Sequence, residues 1–184
     1  MTIASKLINN ALHQLNLHVS RWDQTRRQRA QQSQQRRQLH ALELLKNLHP
    51  TQAARILPWI DQSKAQLHQD LFALACADTD RKGFFVEFGA TNGVELSNTW
   101  LLEKHFGWNG ILAEPAKIWH EALQKNRSAH IDTHCIWSES GKLVEFEEAQ
   151  AAVLSTARTY RDSDHHSEKR KGSQSYEVPT LSLQ

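Results

Sequence analysis

The sequence predicts an α/β protein: three parallel strands and a further short hairpin strand, preceded by a helical N-terminal extension. Three observations carry this. All seven glycines lie at or after Gly83, and only Pro50 and Pro58 interrupt the stretch before it, which separates a helical region from a turn-rich one. The apolar run Phe84-Phe85-Val86 leads through Glu87 and Phe88 into a loop bounded by Gly89 and Gly93. A second apolar run, Gly110-Ile111-Leu112-Ala113, ends on a carboxylate, Glu114.

The elements follow in order. Ile3, Leu7, Ile8, Leu12 and Leu15 recur at helical spacing, so residues 2–19 read as an amphipathic helix. Residues 21–40 hold six arginines, seven glutamines and one acid, Asp23. These types favour helix but leave almost nothing to bury. The segment reads either as a solvated helix or disordered linker, or as a basic arm that touches nucleic acid or an anionic membrane surface. With Trp22 its only aromatic, the solvated reading is preferred. Leu39, Leu42, Leu45 and Leu48 form another stripe that should stop before Pro50. A helix restarts at Thr51 until Pro58 interrupts it, and residues 61–77 read as one more helix. The first strand is Phe84–Phe88, followed by a helix over about 96–106. Then come a turn over 107–110, a second strand over 111–113 and a helix over Lys117–Asn126. A third strand covers 131–137. Strands alternating with helices of this length imply parallel pairing and right-handed crossovers. Residues 143–147 alternate enough to form a short hairpin strand, and 159–175 read as a loop. The division expected is a helical Gln/Arg-rich extension over 1–60 and an α/β domain over 61–184.

Composition narrows the function classes. A net charge of +2 at pH 7 does not mark the whole chain as a polyanion binder, so no nucleic-acid partner is expected. Mean hydropathy is −0.62, low for an all-core domain. Residues 1–20 lack a continuous apolar stretch, since Asn9, Asn10, His13, Gln14 and Asn16 interrupt it, and no run is long enough to cross a membrane. Cys76 and Cys135 are isolated, which fits a reducing compartment, and a cytoplasmic location is expected. Asp164, His165 and His166 sit in a charged stretch without a matching ligand cluster, so they read as solvated and no metal is expected.

The glycine loop carries the functional signal. Gly89 allows a sharp turn off the strand, and Gly93 allows close backbone approach to a ligand. A following helix would aim its unpaired N–H groups at the same space. Glu87 precedes the loop and can accept hydrogen bonds from an amino group. Glu114, 21 residues after Gly93, falls near the position of a ribose-binding acid, roughly 20 residues beyond the glycine loop. The plain alternative is that the two glycines only make a turn and Glu114 only ends an edge strand. The joint occurrence of strand, loop, helix, strand and acid argues against it.

These residues, together with Gln66 to Phe72, Leu96-Ser97-Asn98-Thr99-Trp100-Leu101-Leu102-Glu103, Gly107-Trp108-Asn109, Lys125-Asn126-Arg127 and Val178-Pro179-Thr180-Leu181-Ser182-Leu183, resemble the FkbM family of S-adenosylmethionine-dependent methyltransferases. The resemblance spans about 64–184. It implies a Rossmann-like methyltransferase sheet and S-adenosylmethionine as cofactor. Glu87 would face the methionine amino group. Gly89, Ala90, Thr91, Asn92 and Gly93 would wrap the methionine and ribose. Glu114 would take the ribose hydroxyls, and Ser138 would lie near the adenine. The family reads Gly-Ala-Asn-Asp-Gly where this chain reads Gly-Ala-Thr-Asn-Gly, so Asn92 replaces an aspartate.

The resemblance also implies further strands beyond the Val-Pro-Thr-Leu segment, whereas this sequence ends at Gln184. The first strand is then expected to be a sheet edge, with the catalytic base outside the sequence. The leading expectation is O-methylation of a sugar or another small or glycan-linked hydroxyl. The competing one is a truncated, non-catalytic remnant or interaction module, completed by a second chain or a second copy. A nicotinamide oxidoreductase fits less well, because the spacing is Gly-x-x-x-Gly rather than Gly-x-Gly-x-x-Gly.

Overall fold

A computed structural model describes residues 3–77, 81–148, 156–157 and 174–184, with side chains in the first helix described from residue 24. The chain divides into two compact units, 1–47 and 48–184.

The first unit is one helix, α1, over Ile3–Asn47. The apolar stripes and the Arg/Gln segment between them are therefore continuous. With no glycine or proline before Pro50, strong helix formers propagate through a stretch that buries little. Side chains 24–36 are all exposed.

The second unit starts with α2 (Pro50–Ile56), whose first turn is capped by His49 and Gln52, with Pro50 at its first position. Pro58 does not end the helical path. It converts it to a 3₁₀ helix over Leu57–Gln62, because proline removes an N–H that an α-helix would use. The helix expected over 61–77 is shorter: α3 covers Gln69–Cys76. Ahead of it, Ala65 bridges to Leu96 and His68 adopts φ 59°, a left-handed conformation that interrupts helical geometry.

The α/β expectation holds for a three-stranded parallel sheet in the order β1-β2-β3. Its strands are β1 (Phe84–Phe88), β2 (Asn109–Ala113) and β3 (His130–Asp132). Phe88 lies opposite Ala113, and Ala113 opposite Asp132. Helix α4 (Trp100–Phe106) connects β1 to β2, and α5 (Lys117–Asn126) connects β2 to β3. Right-handed crossovers place both on one face of the sheet. On that face Phe85, Ala90, Leu112, Leu123 and Ala129 form a core, flanked by Trp108 and Ile131. The opposite face of β1 is bare: Phe84, Val86 and Phe88 are 64%, 45% and 50% exposed.

The strand expected over 131–137 is two strands in two sheets. β4 (Cys135–Ile136) pairs in parallel with β7 (Gln174–Leu181) in a second sheet ordered β4-β7-β5-β6. There β5 (Leu143–Glu148), the expected hairpin strand, pairs antiparallel with β7 and with β6 (Thr156–Ala157). Asp132 causes the break between β3 and β4. Its Oδ1 accepts both the backbone N–H of His134 at 2.8 Å and the His134 ring at 2.6 Å, a side-chain turn that competes with strand geometry. A second core forms around Ala116, Cys135, Phe146 and Val178, so Cys135 is buried as expected. The helix expected over 96–106 starts only at Trp100, for reasons that belong to the site. The expected loop over 159–175, with His165 and His166, falls outside the described residues except for its end, Gln174 and Ser175, which begin β7. Among the described residues no helix is long and apolar enough to cross a membrane.

Leu112 sits fully buried in the middle strand, in the cluster that also holds Phe85 and Leu123. Leu112→Ala is expected to cost about 2–5 kcal/mol, the range for buried leucine truncation. A lowered urea midpoint with unchanged slope, followed by circular dichroism, checks this.

Candidate functional site

The site grows from the C-terminal ends of β1 and β2. At the end of β1 the chain reverses through Gly89, at φ +65°. Gly89 donates to Ala113 O at 2.8 Å, which ties the loop to the end of β2. A Cβ on Gly89 would meet nothing within 4 Å. Gly89 is one of the residues that line a cavity of about 300 Å³, together with Phe88 and Thr91, Ala113, Glu114 and Pro115 at and after the end of β2, His134, Cys135 and Ile136 around β4, and Phe146 of β5. This lies at the small end of the range for small-molecule sites, roughly 300–1,000 Å³. It occupies the carboxyl ends of parallel strands, where open α/β sheets bind ligands.

Glu114 is the buried acid of this cavity, 3% exposed. Its Oε2 accepts from Thr91 N at 2.7 Å and its Oε1 from Ala116 N at 2.8 Å. Burial pushes its carboxyl above the usual value, against the pull of those two N–H groups. Each oxygen still has a lone pair to offer. Thr91 holds φ +48°, a left-handed conformation that is unfavourable for a β-branched residue. Its bond to Glu114 fixes that strained backbone on the cavity wall.

The other predicted positions are arranged differently. Asn92 turns away from the cavity: its Oδ1 accepts from Val94 N at 3.0 Å and from Glu95 N at 2.9 Å. An aspartate would accept both bonds equally well, which accounts for Asn at this position. Gly93, at φ +75°, is glycine because a Cβ there would lie 2.5 Å from Arg127 Cγ and 2.7 Å from Leu123 Cδ1. The close approach it permits is therefore that of Arg127 rather than of a ligand. Ala90 is buried in the core beneath the loop. Ser138 is exposed in the loop after β4 and is not among the lining residues.

Glu87 is also away from the cavity wall. It is 7% exposed and accepts from Ser97 Oγ at 2.9 Å, from Asn98 N at 2.7 Å and from Thr99 Oγ1. These bonds hold residues 97–99 over Glu87 in non-helical form. Ser97 Oγ then accepts from Trp100 N at 3.0 Å, so α4 starts there and not at Leu96. The N-terminus of α4 consequently does not open onto the loop as expected.

The residue that sequence reading left without a role is Arg127. Its side chain has no exposed surface, and it lies 3.7 Å from Glu87 Oε2 and 2.8 Å from Glu103 Oε2. It donates to Gly93 O at 3.0 Å, Ser97 Oγ at 3.1 Å and Thr99 Oγ1 at 2.8 Å. Its guanidinium also stands over the Phe85 ring at 5.6 Å. Its sequence signals were its place in the Lys125-Asn126-Arg127 segment of the resemblance and directly after α5. Glu103 additionally accepts from Ser128 N at 2.7 Å. Burial raises the Glu103 carboxyl, but the bonds from Ser128 and Arg127 outweigh it and hold the group below its usual value.

Next to the lining residue His134, burial opposes ionisation of Asp132, yet the two bonds from His134 prevail and its carboxyl is held low. Burial and the nearby Glu114 charge raise the Cys135 thiol, which leaves it a packing group rather than a thiolate. Among the described residues no cluster of His, Cys, Asp and Glu could hold a metal ion. No protein-family model, characterised protein or solved structure matches this chain.

Arg127→Met would leave two buried carboxylates without their cation and is expected to cost about 3–5 kcal/mol, read as a drop in urea midpoint. The Glu103 pair also sets a pH dependence. A carboxyl lowered on folding from its usual 4.5 stabilises the fold above that pH, and the contribution disappears as pH falls through the lower folded value. Urea midpoints between pH 7 and 3 should therefore fall more steeply for the wild type than for Glu103→Gln, the gap closing at the acid end.

Proposed function

We propose that this chain holds S-adenosylmethionine in the cavity at the ends of β1 and β2. We further propose that it serves methyl transfer to a hydroxyl of a sugar or another small or glycan-linked acceptor, in the manner of the FkbM-like methyltransferases it resembles. The observation that carries the proposal is a pairing of two cavity-lining features: the open space at Gly89 and the buried carboxylate of Glu114. Missing Cβ bulk at Gly89 lets a ligand approach the backbone. Glu114 can accept from vicinal hydroxyls such as those of a ribose, and those bonds would offset the burial that now opposes its ionisation. The cofactor would supply an electrophilic methyl on a sulfonium. The chain's own contribution is to bind it, fix its ribose and keep the loop of Thr91 in a strained, pre-formed shape. Glu87, saturated by Ser97, Asn98, Thr99 and Arg127, supports the loop from beneath.

A second reading, a non-catalytic module completed by another chain or a second copy, draws on β1. It is an edge strand among the described residues, and it bears exposed Phe84, Val86 and Phe88 on a parallel sheet, an architecture normally covered on both faces.

Calorimetric titration separates the two. The chain alone is expected to bind S-adenosylmethionine and S-adenosylhomocysteine. Gly89→Ala, which adds a methyl to a cavity-lining residue at a left-handed φ, should weaken both at least about tenfold while costing only roughly 1 kcal/mol in stability. A folded wild type that binds neither ligand alone overturns the first reading and favours the second.

A further inference from the structure

Away from the cavity, a run of uncompensated positive charge lies along the middle of α1, and we propose that this face docks on the phosphate backbone of duplex DNA. Between Asp23 and Glu43 the chain carries Arg26, Arg27, Arg29, Arg36 and Arg37 and no acid. The net +2 of the whole chain conceals them, because the other 17 of its 22 lysines and arginines are outnumbered by its 20 acids. That is why the chain-wide balance gave no sign of a nucleic-acid partner. A linker would scatter these charges, but one helix runs through all of them. At roughly 100° per residue, Arg26, Arg29, Arg36 and Arg37 fall within an arc of about 100° on one side. All seven glutamines between 24 and 38 fall on the other side, with Arg27 among them.

Side chains 24–36 are exposed and Arg37 is half-buried, so this face is presented to solvent. A solvated helix without a core is ordinarily laced with acid–base pairs three or four residues apart. No acid stands three or four positions from Arg29, Arg36 or Arg37. Arg26 and Arg29, at i and i+3, repel each other. The pattern therefore costs the isolated helix stability, and an anionic partner would offset that cost. Its spacing fits a groove. The groups Arg26–Arg29 and Arg36–Arg37 have centres about nine residues apart, about 14 Å along the axis at 1.5 Å per residue. The major groove of B-form DNA is about 12 Å wide between its phosphate ridges. A helix laid across it sets one arginine group on each ridge, where the guanidinium fork matches phosphate oxygens. Between the two groups this face carries only Ala30 and Ser33, whose small side chains let the axis come close. Contacts of this kind go to the backbone and carry no sequence preference. An anionic membrane fits less well. A helix lying in a lipid interface needs an apolar face, and Ala30 is the only apolar side chain from 24 to 38.

The test is fluorescence anisotropy of the full chain on a labelled DNA duplex of about 20 bp, from about 50 to about 200 mM salt. The expected Kd is about 1–100 µM at about 150 mM salt, the range of non-specific binding. Four facing arginines should give a slope of log affinity against log salt of about −3.6, at about −0.9 for each phosphate neutralised. Arg36→Gln combined with Arg37→Gln should bring the slope to about −1.8 and weaken binding at least about tenfold at about 50 mM salt. Helix content by circular dichroism should stay unchanged, because glutamine and arginine have similar helix propensities. Lys82→Gln combined with Lys142→Gln removes the same charge from exposed positions of the second unit and should leave slope and affinity as in the wild type. An RNA duplex of the same length should bind more weakly, since its deep, narrow major groove does not admit a helix. Absence of DNA binding at about 50 mM salt, or equal losses in the two double variants, overturns the proposal and leaves the cofactor reading intact. Equal or tighter binding to duplex RNA, or to phosphatidylserine vesicles, likewise overturns it and assigns the face to that partner.

Discussion

A guanidinium with no exposed side-chain surface, that of Arg127, holds the candidate site together. It reaches the last turn of β1 through Glu87, the glycine loop through Gly93 O, the segment before α4 through Ser97 and Thr99, and α4 itself through Glu103. A buried cation must be paired and hydrogen-bonded or the fold cannot tolerate it. Each group that satisfies Arg127 is thereby fixed in place. Several sequence features follow from that requirement. Gly93 lacks a side chain because Arg127 passes over it. Ser97 and Thr99 are hydroxyl residues because they bridge Glu87 to the guanidinium. Trp100 is the first helical residue because the three positions before it are engaged with Glu87.

The cavity depends on this support indirectly. Its loop is pinned from beneath by Glu87 and Arg127, and at its rim by Glu114. Glu114 therefore has two tasks: it fixes the Thr91 backbone and it presents a carboxylate to whatever enters the cavity. The cost is visible in its raised pKa, since two N–H groups do not fully replace the water removed by burial. Hydroxyl donors from a ligand would complete that solvation. Gly89 supplies the complementary feature, an opening where any other residue would place a side chain.

The parallel sheet is covered unevenly. Its α4/α5 face buries Phe85 and Leu112 around Leu123, while Phe84, Val86 and Phe88 of the edge strand face outward. The break at Asp132 sends the chain out of this sheet and into the antiparallel β5-β7 system. That move builds the far wall of the cavity from Cys135, Ile136 and Phe146.

The sequence by itself determined the elements whose cause is local. Apolar runs bounded by glycines marked β1 and most of β2, and α5 lies where a helix over about Lys117–Asn126 was expected between two strands. An acid at the end of the second apolar run placed Glu114 near the loop, where Thr91 N bonds it. Tertiary structure decided the rest, because burying a charge requires partners that are remote in the chain. Arg127 and Gly93 are 34 positions apart, and so are Asn126 and Asn92. No periodicity could show that Glu87 is saturated from residues 97–99, that Gly93 yields to an arginine rather than to a ligand, or that Asp132 divides one expected strand between two sheets. Propensity acts within a few residues, whereas the pairing of buried ions and the closing of a cavity are settled only when distant segments meet.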